Sequence, residues 1–483
     1  MDQWSVALGR CTAGMSVASD PTADESSDIV SSSGRSRPKR WAGVEGGGTT
    51  WVVAIAEGTP DRVVSRQAFP TRSPEETLPR IASWLAAAHA ESPFHALGVA
   101  TFGPVDLDKQ SPTYGYITHS PKPGWEAVDV LGLVKEGWCP KNMPTGFDTD
   151  VNAPAVAEYA AVVREFAAMD DLKGKTQATG RFVKSLWEDD GDDDTENDGD
   201  EGDAFDDGAA QSLEGARRRQ KNDNAHLRFQ NLAYITVGTG VGVGLVCGGE
   251  PVHGLSHPEA GHCRVARLLS DGLFGSAGSF VGTCPFHEDC IEGMAGASAI
   301  AKRCGCSMNE LSRVPDDHPA WDAAAHYVAG LCATLVMVVS PQRIVLGGGV
   351  LQRKTLVNKI RISLRKQLGG YVRHDFVERA DGLKQFLVHS RHGKYFPITT
   401  FRRLIAHTKL TFLFLHSGND AGIVGALALA ERARSAAEPF FKKKKSLTRR
   451  LAHYFGFGIV SAMVTLKIVN GEVRVRGQAG VKK

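Results

Sequence analysis

Two glycine turns, each set between runs of β-branched residues, constrain this chain most. One lies in VEGGGTTWVVAIAEG, beginning at Val44, and the other in ITVGTGVGVG, beginning at Ile235. Each reads as strand, tight turn, strand. The first could be mistaken for a P-loop, but it lacks the Gly-Lys-Ser/Thr ending and leads into a strand rather than a helix. The alternative is a hairpin whose bare N–H groups, at Gly46, Gly47, Gly48, Thr49 and Thr50, wrap a phosphate with threonine hydroxyls as further donors. A Cβ on those glycines would hold the backbone off the phosphate oxygens. The second hairpin, with Thr239 and Gly240 at its tip, has the same character. A third glycine run, Gly347-Gly348-Gly349, ends the strand-like RIVLGGGV, and ligand sites favour such strand ends. Either hairpin alone could be no more than a tight turn. The three together favour phosphate.

The rest of the chain alternates strands with helical stretches, which makes an α/β protein, and two similar hairpins far apart suggest two lobes that each grip phosphate. We expect a disordered leader at 1–40, an N-terminal lobe at 41–146, a C-terminal lobe at 147–435 and an extra basic tail at 436–483. Residues 171–230 interrupt the pattern. The stretch 188–207 holds 13 of the 54 acidic residues, leaving 41 acidic against 56 basic residues elsewhere. Its composition cannot bury enough apolar surface to fold, so a disordered insertion is expected. The basic remainder suits an anionic small molecule, since no zinc-finger, RRM or homeodomain pattern is present. The leader lacks a secretory signal's apolar stretch, nine cysteines argue against a disulfide framework, and FGFGIVSAMVTL is too short to span a bilayer. The cytoplasm is the expected compartment.

Two groups of residues carry chemistry. Cys284-Pro-Phe-His287-Glu-Asp-Cys290, with His262 upstream, sits in the loop 253–293. Two thiolates and two imidazoles suit a closed, structural tetrahedral zinc site. Unliganded side chains in a polar loop are the alternative, and Cys263, Cys304 and Cys306 are rival ligands. In GFDTDVNAPA, Asp148, Asp150 and Asn152 gather where a strand gives way to a helix. Phosphorylating a hydroxyl needs a base beside it, although an aspartate here could equally be a helix N-cap.

The motifs VEGGGTT, TFGPVDL, YGYITHSPKPGW, DTDVNAPA, ITVGTGVGVG, HGLSHPEAGH, GTCPFHEDCIEG and IVLGGGV occur in one order. This series resembles the ROK sugar kinases, and within them the bacterial-type fructokinases. The resemblance implies a two-lobe, actin-like ATPase (ribonuclease H-like) fold with ATP and Mg2+ in the cleft, and a hexose, most readily fructose, as the other partner. It implies Asp150 as general base, and Gly103, Asn152, Glu259, His262 and Glu292 on the sugar side. ATP would meet Gly46–Thr50, Thr239, Gly240 and Gly348, while His262 would face zinc with one ring nitrogen and sugar with the other. A homodimer is compatible with this reading. Mannose or glucose as substrate, and a sugar-sensing regulator without catalysis, stay open. The chain departs from the family at Thr50, where lysine is frequent, and at 383–415, which looks unlike the family's ending and is expected outside the ancestral core.

Overall fold

The computed structural model describes residues 38–120, 122–166, 229–391 and 420–454, and the backbone of 466–469 and 472–475; side chains are described up to 438. The chain divides into two units, 1–39 and 40–483, and every helix and strand named below lies in the second. The acidic stretch at 188–207 lies outside the described residues.

Strands β1 (Arg40–Gly46), β2 (Thr50–Glu57) and β3 (Val63–Pro70) form an antiparallel meander. After helix α1 (Pro74–Glu91), β4 (Ala96–Thr101) joins β1 in parallel. Next come the small β5 (Tyr116–Ile117) and β6 (Val128–Asp129) pair and helix α2 (Val130–Lys135). Strand β7 (Thr145–Thr149) then adds in parallel to β4, giving the order β3-β2-β1-β4-β7. Helix α3, residues 152–166, leads out of this lobe.

The second sheet repeats the plan. Strands β8 (Leu232–Val237), β9 (Val241–Cys247) and β10 (Glu250–Pro251) are antiparallel, and β11 (Arg343–Gly347) and β12 (Leu387–His389) add in parallel. The order β10-β9-β8-β11-β12 is that of the first sheet. Helices α4 (Ile291–Ala295), α5 (Ala297–Cys304), α6 (Pro319–Val339), α7 (Lys354–Leu368) and α8 (Ala380–Phe386) complete this lobe. Among the described residues α6 alone is long and apolar enough to cross a membrane. Its Trp321, Tyr327, Val328 and Leu331 are buried in the second lobe's core, as in an ordinary core helix.

Helix α9 (Ala421–Tyr454) returns to the first sheet. Its Ala421–Ala430 turn into a core shared by both lobes, with Trp41 and Ala54 from one sheet and Tyr234 and Val345 from the other. The close approach has a specific cause. Gly43, Gly98 and Gly146 are cross-strand neighbours on β1, β4 and β7. A Cβ at Gly98 would lie 1.8 Å from the Ala426 carbonyl oxygen, and one at Gly146 would lie 2.6 Å from that of Leu429. The glycine row is a bare track on which the helix backbone lies.

Three expectations change. The lobe boundary drawn at 146/147 falls inside β7, which belongs wholly to the first sheet. Residues 421–430 lie on the glycine row of the first sheet, in a core that the second sheet shares, rather than within the second lobe alone, and α9 runs unbroken through the boundary placed at 436. Residues 383–391 belong to the core: Leu383, Phe386 and Leu387 are buried, and β12 is the fifth strand of its sheet. Glu158 of α3, itself buried, accepts hydrogen bonds from the Ser390 hydroxyl at 2.6 Å and the Arg391 N–H at 2.8 Å, which tie that strand's end to the helix between the lobes. Residues 392–419 lie outside the described residues.

Candidate active site

The carboxyl ends of β1, β4 and β7 lie side by side, because Gly46 pairs with Thr101 and Thr101 with Thr149. Ligands gather at such an edge. The segments that leave these three strands are therefore brought together: the turn after Gly46, Phe102-Gly103 after β4, and Asp150 after β7. The Asp150 N–H bonds the Thr101 carbonyl at 2.9 Å, fixing where its side chain starts.

The two aspartates of the DTD motif have different surroundings. Asp148 is buried, with Oδ1 accepting from the Asn152 amide at 2.9 Å and the Thr149 N–H at 2.8 Å, and Oδ2 sitting 2.8 Å from His253 Nε2. Asp150 has no ion pair among the described residues. Burial pushes its carboxyl up to about 6, against the opposing pull of its own N–H. Glu45, at the end of β1, is pushed up to about 8, first by burial and then by the charge of Asp150. Its counterweights are Arg66 and the N–H of Ile423, at the start of α9. Arg66 in turn pairs with buried Asp420 at 2.5 Å.

The second lobe reaches the same place through β9. Gly244 and Gly242 pack on Val151, where a Cβ at Gly244 would lie 2.0 Å from the Val151 carbonyl, and the Leu245 N–H donates to Asn152 Oδ1 at 3.3 Å. Beside Gly240, Glu292 accepts the Val241 N–H at 3.0 Å. Glu259 is pushed up to about 7 by burial, then by Asp150 and Glu292. Glu45, Asp150, Glu259 and Glu292 thus form a series of acids from both lobes, each within electrostatic reach of the next. Crowded carboxylates of this kind accept hydrogen bonds well, and a polyhydroxylated ligand or a bound cation would relieve their mutual repulsion.

Gly103, in the segment after β4, faces His257. Nε2 of His257 accepts the Val105 N–H at 3.2 Å, and a Cβ at Gly103 would come within 3.0 Å of that nitrogen. Gly348, the residue after β11, has φ +87°, and a Cβ there would lie 2.5 Å from the Val237 carbonyl, so it abuts the second glycine turn. The structure corrects one residue. Asn152 is fully buried, with both ends of its amide bonded inside the protein, to Asp148 and Leu245. It pins the two lobes at the base of the site and presents no side chain to a sugar.

His262, Cys284, His287 and Cys290 bring their ligand atoms within 4.8 Å of one another. Nδ1 of His262 lies 3.3 Å from Nδ1 of His287 and 3.6 Å from each sulfur, and Cys284 Sγ is 3.7 Å from His287 Nδ1. Tetrahedral zinc, with bonds of about 2.0–2.1 Å to nitrogen and 2.3 Å to sulfur, separates such atoms by about 3.3–3.8 Å. The donors therefore fit that ion. Nε2 of His262 is left for a second partner. Cys263 is exposed and stands outside this cluster, as do Cys304 and Cys306.

Sequence reasoning missed Glu45, His253, His257 and Asp420. The first was legible as the acid preceding GGG. His253 and Asp420 were not, because their partners Asp148 and Arg66 lie far away along the chain, and His257 gains its place at the site only through Val105, 152 residues earlier.

Residues 41–167 and 217–385 match the model of the ROK family. Fructokinase of Zymomonas mobilis is 30% identical over 395 residues, spanning 81% of this chain and 96% of that protein. Fructokinase of Streptococcus mutans is 29% identical over 334 residues, spanning 69% and 88%. The crystal structure of the ROK hexokinase from Thermus thermophilus matches with a TM-score of 0.49 at 20% identity, covering 81% of this chain and 98% of that one.

Proposed function

Because this chain belongs to the ROK family, we propose that it is an ATP-dependent hexose kinase of actin-like, two-lobe architecture that converts fructose to fructose 6-phosphate. The observation that carries this reading is the contrast between the two aspartates. Asp148 is held by Asn152, Thr149 and His253, whereas Asp150 stands between the lobes with a proton affinity raised by burial. A base needs that freedom and a pKa near the working pH. Asp150 takes the proton of the sugar hydroxyl, and that oxygen attacks the γ-phosphorus of ATP. Glu259, Glu292 and Nε2 of His262 hold other hydroxyls, with Gly103 leaving room for the ring.

The first turn, Gly46–Thr50, and Thr239-Gly240 meet the phosphates, and Gly348 borders the nucleotide. Mg2+ bound with ATP would neutralise phosphate charge there, and Glu45, at the end of β1, is the carboxylate that would hold it. Zinc, held by His262, Cys284, His287 and Cys290, fixes the sugar-side loop and the orientation of His262. Fructose is preferred over mannose or glucose on the strength of the relatives' activities.

A coupled ADP-release assay across fructose, mannose and glucose tests the reading. We expect release with fructose to exceed the others. Hexose binding without ADP release would instead make the chain a sugar sensor.

A further inference from the structure

The first glycine turn carries no basic residue of its own, yet its main-chain geometry is that of an anion site. Every carbonyl from Gly47 to Thr50 is tied back into the protein. Gly47 O accepts the Thr71 hydroxyl at 2.8 Å, Thr49 O the Thr71 N–H at 3.0 Å, and Thr50 O the Gly47 N–H at 3.0 Å. Gly48 O accepts the Lys122 ammonium. With the carbonyl dipoles withdrawn and the Gly47 N–H spent on Thr50 O, the exposed edge of the turn is left to the N–H groups of Gly48 and Thr49, and the space a Cβ would take at Gly48 is open.

Lys122 arrives from a segment remote in sequence that is anchored three residues later. Its neighbour Trp125 is buried, stacks on Trp51 at 5.3 Å and donates its indole N–H to the Arg72 carbonyl at 3.0 Å. The ammonium lies 5.9 Å over the ring of Phe102, the residue after β4 whose N–H bonds the Gly46 carbonyl. No carboxylate pairs with Lys122 among the described residues. The nearby guanidinium groups differ: Arg66 pairs with Asp420 and Arg72 with Glu76. A cation held on a main-chain carbonyl, without a counterion, beside outward N–H groups, is a charge awaiting an anion.

We propose that Lys122 contacts the phosphoryl group in transfer and neutralises its charge. The assignment rests on the kinase reading. In the step, the hydroxyl oxygen forms the new bond to γ-phosphorus, and the bond to the β-bridging oxygen breaks with its electron pair leaving on ADP. The hydroxyl proton goes to Asp150, and Lys122 keeps all of its own protons.

Three variants test this: Lys122→Ala, Lys122→Gln, and Lys122→Ala combined with Thr50→Lys. We expect kcat to fall about 10²–10³-fold in both single variants, the usual loss for a group that stabilises transition-state charge. Fructose affinity by calorimetry should stay within about twofold of wild type, and Thr50→Lys should restore part of the rate by returning a cation to the turn. If Lys122 merely braces the turn, Lys122→Gln, which can still donate to Gly48 O, will keep the wild-type kcat, and the proposal is wrong. A near-normal kcat in Lys122→Ala overturns it as well. If wild type releases no ADP with any hexose, the kinase reading fails, and titration with ADP and a non-hydrolysable ATP analogue decides Lys122 alone. A selective loss of affinity for the analogue in Lys122→Ala supports the contact; an equal loss for both nucleotides, or none, refutes it.

Discussion

Replacing Asp150 with asparagine should cost the protein its activity and make it more stable. The side chain keeps its size, so the perturbation is the loss of one charge and one base. Burial lifts the carboxyl from 3.8 to about 6 in the folded state. A carboxyl raised in this way opposes folding: the penalty is absent below the unfolded value, grows between 3.8 and about 6, and is complete above that. Two units at about 1.4 kcal/mol each set a ceiling of about 3 kcal/mol. Asp150 keeps some contact with solvent, so we expect a gain of about 1–3 kcal/mol for Asp150→Asn at pH 8, and about half of that at pH 5. Glu45 and Glu259, both raised in part by Asp150, relax in the same direction. Loss of a general base lowers kcat by about 10²–10⁴-fold with KM little changed. Urea unfolding at the two pH values, beside ADP-release kinetics, measures both effects. Near-normal kcat in the variant would show that the carboxylate is not the base, and lower stability than wild type at pH 8 would show that it is not under strain.

Three further outcomes are set by the geometry. Cys284→Ser should release zinc and destabilise the loop 253–293, because four donors at tetrahedral spacing stand in for a local core; freshly purified active protein that contains no zinc by elemental analysis would contradict this. Asn152→Ala leaves the Leu245 N–H and one Asp148 oxygen short of partners, so unfolding free energy should drop by about 2–3 kcal/mol while KM for sugar shifts less than about threefold. A large KM effect without loss of stability would restore Asn152 to the sugar. Gly98→Ala places a Cβ on the Ala426 carbonyl and should lower stability by about 3 kcal/mol or more; a normal melting temperature would mean that α9 is free to lift off its glycine track.

Much of the site was legible because its signals are short-range. The glycine turns, the DTD pair and three of the four metal donors, Cys284, His287 and Cys290, each lie within a few residues, where the chemistry needed fixes the spacing. Roles that depend on contacts across the chain were not legible. Asn152 looks like a sugar ligand until β9 supplies the Leu245 N–H from 93 residues away. Glu45 gains its meaning only when β7 sets Asp150 beside it and α9 offers the Ile423 N–H. The segment 383–391 looked foreign because its run of Leu and Phe shows no period, yet a three-residue edge strand paired with β11 is too short to show one. The glycines at 43, 98 and 146 carry no local signal at all, and they become a track only once the ladder puts them abreast.

The same arrangement explains why so costly a set of acids can persist. Glu45, Asp150 and Glu259 stand on different elements, and each is raised by burial. Left free, those elements would separate to let the carboxylates reach water. They are prevented from doing so by contacts that avoid the acids themselves. Asn152 bonds β9 to the strand end that carries Asp150, the glycine row seats α9 against the sheet that carries Glu45, and Glu158 ties the end of β12 to α3. Strain at a reactive centre survives only where the surroundings over-determine it, and here that restraint comes from the backbone of both lobes. The final helix is part of it: the acid at the end of the first strand is held by an N–H some 380 residues later, so the site is complete only when the chain has returned to the sheet with which the fold began.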